Sequence, residues 1–308
     1  TPVVLDNLCT GNRFALRYGT FYEGSISDAA LVGRIVAEHN PVGAILFAGH
    51  IDVGESARAP RKYFHNNVSE AVSFLDALLD NGVKRVVFSS SCAVYGIQTK
   101  MPLNEDASKD PVSTYAETKL FLEKVLRAYD SAYGLKFAAL RYFNAAGADP
   151  DGELGEDHAP EIHAIPRALQ AAAEGTVFEI FGTDYPTPDG TCLRDYVHVS
   201  DLADAHVRAL RRLEAGGASA VYNVGTERPS SVADVVAAAE RATGRRVNTR
   251  TGPRRPGDPA VLYAAAGRIR AELGWVPVRT DLDVIVGDAW RWHRTHPRGF
   301  ATAKESVD

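Results

Sequence analysis

Cysteine is scarce in this chain of 308 residues: Cys9, Cys92 and Cys192 are its only thiols. An odd number without paired spacing excludes a disulfide framework and a cysteine-based zinc motif, and it suits a reducing cytoplasm. No metal ligand set is read from the sequence. No run of about 18 apolar residues is present and no signal peptide is visible, so no membrane association is expected. Charge is not in excess either: the formal net charge is −5 and the arginines are scattered, which argues against a nucleic-acid surface. One local group, Arg245, Arg246, Arg250, Arg254 and Arg255, reads as a solvated face or an anion site. Internal repeats and low-complexity tracts are absent. What remains, 45% apolar and 24% charged residues, is ordinary globular composition with ample core for one large domain or two smaller ones.

The first half alternates strand and helix patterns. Pro2-Val3-Val4-Leu5, Ala44-Ile45-Leu46-Phe47-Ala48-Gly49, Arg85-Val86-Val87-Phe88-Ser89-Ser90 and Phe137-Ala138-Ala139-Leu140-Arg141-Tyr142 are short apolar runs ending in small or polar residues. Helical stretches lie between them at roughly 28–39, 68–81 and 113–133. Near-continuous apolar strands separated by helices predict a doubly wound parallel sheet covered on both faces. Ligands of such sheets sit beyond the carboxyl ends of the strands. Asp6, Phe47-Ala48-Gly49, Ser89-Ser90-Ser91 and Phe143-Asn144 fall at those ends. After about residue 145 the texture shifts to Gly, Pro, Asp and His, with helices near 162–174 and 200–214. Ala220-Val221-Tyr222-Asn223-Val224-Gly225 reads as a strand that rejoins the first sheet. The expected organisation is a cofactor domain over 1–145, with segments near 195–225 returning to it, and a smaller mixed α/β domain over 146–308. Only the tail after Phe300 looks dispensable.

Tyr115-Ala116-Glu117-Thr118-Lys119 carries the clearest chemistry. Residues four apart share a helix face, so the ammonium can sit beside the phenol. A free tyrosine titrates near ~10 and is a poor base at neutral pH. A fixed cation favours the phenolate, and each tenfold gain in the phenol's acidity corresponds to about 1.4 kcal/mol. A hydroxyl such as Ser91 completes equipment for taking a proton from an alcohol while a hydride leaves its carbon. Alone, a Tyr-x-x-x-Lys match is weakly specific, and Ser89-Ser90-Ser91 alone reads as a polar strand end. Arg194 has a bland reading as the structural partner of Asp195 or Asp201, His163 as a satisfied loop histidine, and Cys92 as a small packed residue.

The order of the motifs is more specific. Ser89-Ser90-Ser91-Cys92-Ala93-Val94-Tyr95-Gly96, then Tyr115 to Lys119, then Arg141-Tyr142-Phe143-Asn144 resemble the extended short-chain dehydrogenase/reductases, and within them the UDP-glucose (UDP-galactose) 4-epimerases. Phe47-Ala48-Gly49 with Val53-Gly54-Glu55-Ser56, Asn66-Asn67-Val68, Phe181-Gly182-Thr183-Asp184-Tyr185, Arg194-Asp195-Tyr196-Val197-His198 and Arg254-Arg255-Pro256-Gly257-Asp258 agree in order over nearly the whole chain. The resemblance implies an isomerase of galactose and carbohydrate metabolism with tightly held NAD. Tyr115 would take the 4-hydroxyl proton, giving a 4-keto sugar that rotates while its UDP stays anchored. Lys119 would also bind the nicotinamide ribose, and Ser91 would hold the reacting oxygen. The resemblance further implies cofactor contacts from Asp6, Asn7, Cys9, Thr10, Gly11, Ser25, Ile26, Phe47, Ala48, Gly49, Asn66, Ser89 and Phe143. For the UDP-hexose it implies Asn144, His163, Phe181, Arg194, Arg255, Asp258 and Leu262 besides Ser91 and Tyr115. Forked guanidinium donors suit a diphosphate, and Asp6 suits the adenosine ribose hydroxyls, favouring NAD over NADP. The helices near 68–81 and 113–133 resemble those that form a homodimer in the family.

The family's opening strand and Gly-x-x-Gly-x-x-Gly turn, which hold the NAD pyrophosphate, have no counterpart here. Thr1 stands just before the family's second strand, so the expectation is a Rossmann-type sheet whose first strand and helix lie outside this sequence. Gly24-Ser25-Ile26 replaces the Gly-Asp-Ile/Val common at the adenine, and Ile51 replaces a lysine. Leu262 stands where some relatives carry a tyrosine, which would make room for N-acetylated UDP-hexoses. Ser91-Cys92-Ala93 lacks the carboxyl group of the Thr-Asp-Glu found in sugar-nucleotide dehydratases. A UDP-uronate epimerase or decarboxylase, or an inactive UDP-sugar-binding module, stand as alternatives.

Overall fold

The structure is a computed structural model that describes residues 1–255 and 257–300. Pro256 and the tail after Phe300, with the expectation placed on that tail, lie outside the described residues. The chain forms two compact units. One comprises Thr1–Gly96, Ser108–Arg141 and Ala205–Tyr222, and the other Ile97–Ala107, Tyr142–Asp204 and the residues from Asn223 onward.

In the first unit a four-stranded sheet runs in the order Ala220–Val224, Lys136–Tyr142, Arg85–Ser89, Ala44–Leu46. Arg85–Ser89 is parallel to the strands on either side, with Val86 opposite Phe137 and Ser89 opposite Leu140. A further parallel pair joins Val3–Asp6 to Thr20–Glu23. The central strands are apolar at consecutive positions because both of their faces are covered: Val86, Val87 and Phe88 are all buried. Helices Ala29–His39, Ala71–Asp80 and Thr114–Tyr133 supply the cover. Their inward residues Val32, Leu75, Leu78, Leu122 and Leu126 form one core with Phe88 and Phe137. Each such buried side chain contributes about 1.5–3 kcal/mol.

The helix boundaries follow local chemistry. Asp28 caps the first helix by accepting from Leu31 N, and Ser113 caps the third by accepting from Ala116 N. Gly134 ends the third in the left-handed conformation. The helix expected from residue 68 is longer than its apolar period suggests. It is preceded by Pro60–Phe64 and by a wide π turn over His65–Glu70. Such turns recur near functional positions, and this one contains Asn66 and Asn67.

The second unit is built from short pieces. Asn144–Ala146 runs parallel to Tyr196–His198, and Val177–Phe181 parallel to Asn248–Gly252. Leu193–Arg194 lies between Ser230–Ser231 and Val261–Leu262. Helices Ala164–Glu174, Val232–Thr243 and Leu282–Thr295 pack around Ile165, Leu169, Phe178, Val235 and Ile285.

Candidate active site

Tyr115 and Lys119 stand one turn apart in the first half of Thr114–Tyr133, and both are buried. The helix start is held from outside: Tyr115 N donates to Ser56 Oγ at 3.1 Å, and Ser56 Oγ donates to Val53 O. Lys119 Nζ lies 5.7 Å from the centre of the Tyr115 ring and 5.2 Å from that of Phe88. It donates to Ser89 O at 2.9 Å. Burial pulls the Lys119 ammonium down to about 8. The sheet therefore delivers Ser89 to the helix through its main chain, and the next residues turn away. Ser91 accepts from Ala93 N and opens the short 3-10 turn Cys92–Tyr95. Cys92 is packed and buried there, as its bland reading holds.

Behind this turn lies a charge network. Arg141 and Glu123 are both fully buried. Arg141 donates Nε to Glu123 Oε1 at 2.8 Å and one terminal nitrogen to Oε2 at 2.5 Å. Its other terminal nitrogen donates to Tyr95 Oη at 2.9 Å. Ser90 Oγ donates to Glu123 Oε1 at 2.7 Å. One ion pair thus fixes both ends of the serine turn to the helix that carries Tyr115 and Lys119. None of these residues was singled out for such a role from the sequence. The available signal was that Tyr115, Lys119 and Glu123 recur at intervals of four on one helix face.

The proposed cofactor residues of the first unit gather at strand ends. Asp6 Oδ1 accepts from Leu8 N at 2.7 Å, Asn7 accepts from Cys9 N, and a Cβ on Gly11 would stand 2.9 Å from Asp6 Oδ1. Asn7, Cys9 and Thr10, which follow Asp6, are exposed. Phe47 is 57% exposed, although its ring lies 4.7 Å from that of His206. Ala48 is exposed as well, and a Cβ on Gly49 would stand 3.7 Å from Lys119 Nζ. Asn66 donates to Asn67, and buried Asn67 bonds His50 in both directions and donates to Thr118. Ser25 donates to Glu70, whereas Ile26 packs against the core.

A dinucleotide fits this donor set. Bare glycine lies against the buried ammonium, an apolar ring is open to a flat partner, and a carboxylate suits ribose hydroxyls. Among the described residues Lys119 uses one of its three N–H donors, on Ser89 O, which leaves two for a ribose.

In the second unit the strand Leu193–Arg194 presents Arg194, whose guanidinium donates to Asp258 Oδ1 at 2.5 Å. Asp195 and Asp201, its alternative partners from sequence, are engaged elsewhere. Asp195 accepts from Thr226 N and Oγ1, Glu227 N and Ala264 N, and Asp201 accepts from Val278 N and Arg279 N. Leu262 is the register partner of Arg194. Arg255 lies over the Phe181 ring at 4.0 Å. Asn144 N donates to Asp195 O, and neighbouring Phe143 is buried. His163 Nδ1 is hydrogen-bonded to Glu156.

The profile of the NAD dependent epimerase/dehydratase family matches residues 2–225. The UDP-glucose 4-epimerase of Lacticaseibacillus casei is 46% identical over 97% of this chain and 91% of its own length. The crystal structure of UDP-glucose 4-epimerase from Brucella ovis in complex with NAD superposes with a TM-score of 0.92 at 46% identity, over 97% of this chain and 90% of that one. The enzyme from Bifidobacterium longum, in complex with NAD+ and UDP, does so with a TM-score of 0.88 at 35% identity, over 97% and 92%.

Proposed function

The chain belongs to the NAD dependent epimerase/dehydratase family, and from that premise we propose that it is an isomerase inverting C4 of a UDP-hexose, UDP-glucose or UDP-galactose, with NAD as cofactor. The observation that carries this reading is the buried Lys119 ammonium, held by Ser89 O beside the Tyr115 ring. Bound NAD would supply the acceptor and donor of the C4 hydride. Tyr115 takes the proton of the 4-hydroxyl and returns it, with Lys119 stabilising the negative charge that develops on the phenolic oxygen. Ser91, held at the mouth of its 3-10 turn, positions the reacting oxygen. Asp6 and the exposed Phe47-Ala48-Gly49 edge hold the cofactor, with Lys119 on its nicotinamide ribose.

Arg194 and Arg255 grip the diphosphate. Gripping the nucleotide rather than the sugar is what the reaction needs, because the sugar must turn over between two hydride transfers. On this reading the first unit holds NAD and the second holds the UDP-sugar. Leu262 leaves room for an N-acetyl group; turnover of UDP-N-acetylglucosamine that is negligible beside UDP-glucose refutes that assignment. Phe121 and Tyr133 stay exposed on the helix Thr114–Tyr133, which supports a homodimer through this helix and Ala71–Asp80, to be read as molar mass by light scattering. The free thiols Cys9, Cys92 and Cys192 fit a reducing cytoplasm, and no helix among the described residues is long and apolar enough to cross a membrane.

The test is UDP-glucose to UDP-galactose conversion by the NAD-loaded protein and by Tyr115→Phe. The variant is expected to lose about 10²–10⁴-fold in kcat with KM little changed. Undiminished turnover in Tyr115→Phe overturns the assignment.

A further inference from the structure

Ser25 and Glu70 are 45 residues apart in sequence and meet in the first unit, where Ser25 Oγ donates to Glu70 Oε2 at 3.0 Å. Ser27 N donates to Ser25 Oγ at 3.1 Å and fixes that hydroxyl from behind. Glu70 closes the π turn His65–Glu70, four residues after Asn66. Both line a cavity of about 630 Å³, together with Arg58, Arg61, Lys62 and His65, a size that suits a nucleotide. From this arrangement we propose that Glu70, aimed by Ser25, accepts a hydrogen bond from the exocyclic amine of the adenine of NAD and so selects that base. The inference rests on NAD as the cofactor and adds the residue that reads its base.

Topology places the adenine end of a dinucleotide here. Ligands of a parallel sheet lie beyond the carboxyl ends of its strands. Asp6 and Glu23 are register partners at the ends of Val3–Asp6 and Thr20–Glu23, so Ser25 stands beyond the same end of the pair as the Asp6 carboxylate. Neighbouring strands are about 4.8 Å apart, and a base bonded to a ribose at Asp6 reaches the adjacent strand end. The nicotinamide end is committed elsewhere, to Lys119 beside Ser89. Glu23, the other acid at this strand end, is exposed and is not part of the cavity wall.

The charge of the cavity narrows the group that Glu70 meets. Arg58, Arg61 and Lys62 make the wall basic and suit phosphate oxygens, whereas a carboxylate repels them. Glu70 must therefore face a hydrogen-bond donor. NAD carries donors in its ribose hydroxyls, in the carboxamide of nicotinamide and in the adenine amine. Asp6 suits the hydroxyls and the carboxamide belongs to the Lys119 end, which leaves the amine. Glu70 is not saturated by the protein. Oε2 takes one bond from Ser25, and Oε1 has His65 Nδ1 at 3.4 Å on an exposed ring. A carboxylate offers about four acceptor positions, so both oxygens keep capacity for a ligand. The helix thus returns a carboxylate to the strand end where Ser25 stands in place of an aspartate.

The experiment titrates nucleotide-stripped full-length protein with NAD and with nicotinamide hypoxanthine dinucleotide by calorimetry. Hypoxanthine puts a carbonyl oxygen where adenine has its amine, so the unaltered protein should prefer NAD by about 10–100-fold. Glu70→Ala should weaken NAD by a similar factor, leave the hypoxanthine analogue bound as before or more tightly, and erase the preference. Glu70→Gln, of the same shape, presents an amide N–H to the carbonyl and should also narrow the preference. Ser25→Asp/Glu70→Ala, which supplies a carboxylate from the strand end, should restore it. A merely structural role for Glu70 would weaken both dinucleotides equally. No preference in the unaltered protein, or an undiminished one in Glu70→Ala and Glu70→Gln, overturns the inference and leaves NAD as the cofactor. An unaltered protein that binds neither dinucleotide overturns both.

Discussion

Glu123→Ala should be among the most damaging single substitutions in the first unit. Glu123 takes two hydrogen bonds from Arg141 and one from Ser90, and both charged side chains are 0% exposed. Truncation leaves a guanidinium in the interior with its carboxylate gone, a situation that costs about 3–5 kcal/mol. The orphaned Ser90 hydroxyl adds about 1 kcal/mol. Arg141→Met should be milder, because Arg127 stands 3.9 Å from the same carboxylate and reaches solvent. The double variant Glu123→Leu/Arg141→Met removes both charges and should cost less than the sum of the singles by roughly 3 kcal/mol. Urea unfolding of the four proteins at low and high salt gives the cycle. Salt should change the coupling little, since buried pairs are weakly screened. Additivity within about 0.5 kcal/mol, or a Glu123→Ala cost below about 1 kcal/mol, would refute the claim that this pair fixes the serine turn.

Lys119 gives a pH signature. Its folded-state value near 8 lies below the ordinary 10.5, so below pH 8 the folded chain bears the full cost of burying the ammonium. Between 8 and 10.5 the unfolded chain binds more protons and stability rises with pH, relative to Lys119→Met, by about 3 kcal/mol; a pH-independent difference between the two urea midpoints contradicts the burial argument. Arg194→Ala should raise KM for the UDP-sugar about 10–100-fold with a smaller effect on kcat, whereas an unchanged KM removes Arg194 from the diphosphate. Gly96→Ala should lower the unfolding free energy by about 2–4 kcal/mol: Gly96 has φ +64° and ψ −146° and lies against the Asp110 carbonyl, in a region that is almost closed to other residues. A thermal midpoint equal to that of the unaltered chain would show that the turn is more permissive than its geometry.

The parallel core was readable because its signal is local: Val86-Val87-Phe88 and Phe137-Ala138-Ala139-Leu140 are apolar at consecutive positions, as a strand covered on both faces is. The Tyr115 and Lys119 pairing was equally local, a matter of one helical turn. The Glu123–Arg141 pair was not, since a glutamate in a helix and an arginine in a strand each look solvated until the fold brings them together across 18 residues of sequence. The π turn over His65–Glu70 also escaped the apolar period, which carries no information about hydrogen-bond spacing. Apart from His163, the loop holding Glu156, His158 and Glu161 read only as Gly-, Pro-, Asp- and His-rich, because the ion pairs of its two histidines with Glu156 and Glu161 depend on how the chain turns between them.

Lys119 takes its anchor from the main-chain oxygen of Ser89, not from a side chain. Side-chain substitutions at 89 therefore cannot delete that acceptor; they can only displace it, and at a site 2% exposed the displacement depends on bulk. In a saturation library, position 89 should reject large residues, and position 91 should tolerate only hydroxyl-bearing replacements. Two serine codons of one motif, one position apart, would then carry different kinds of information, one about volume and the other about chemistry.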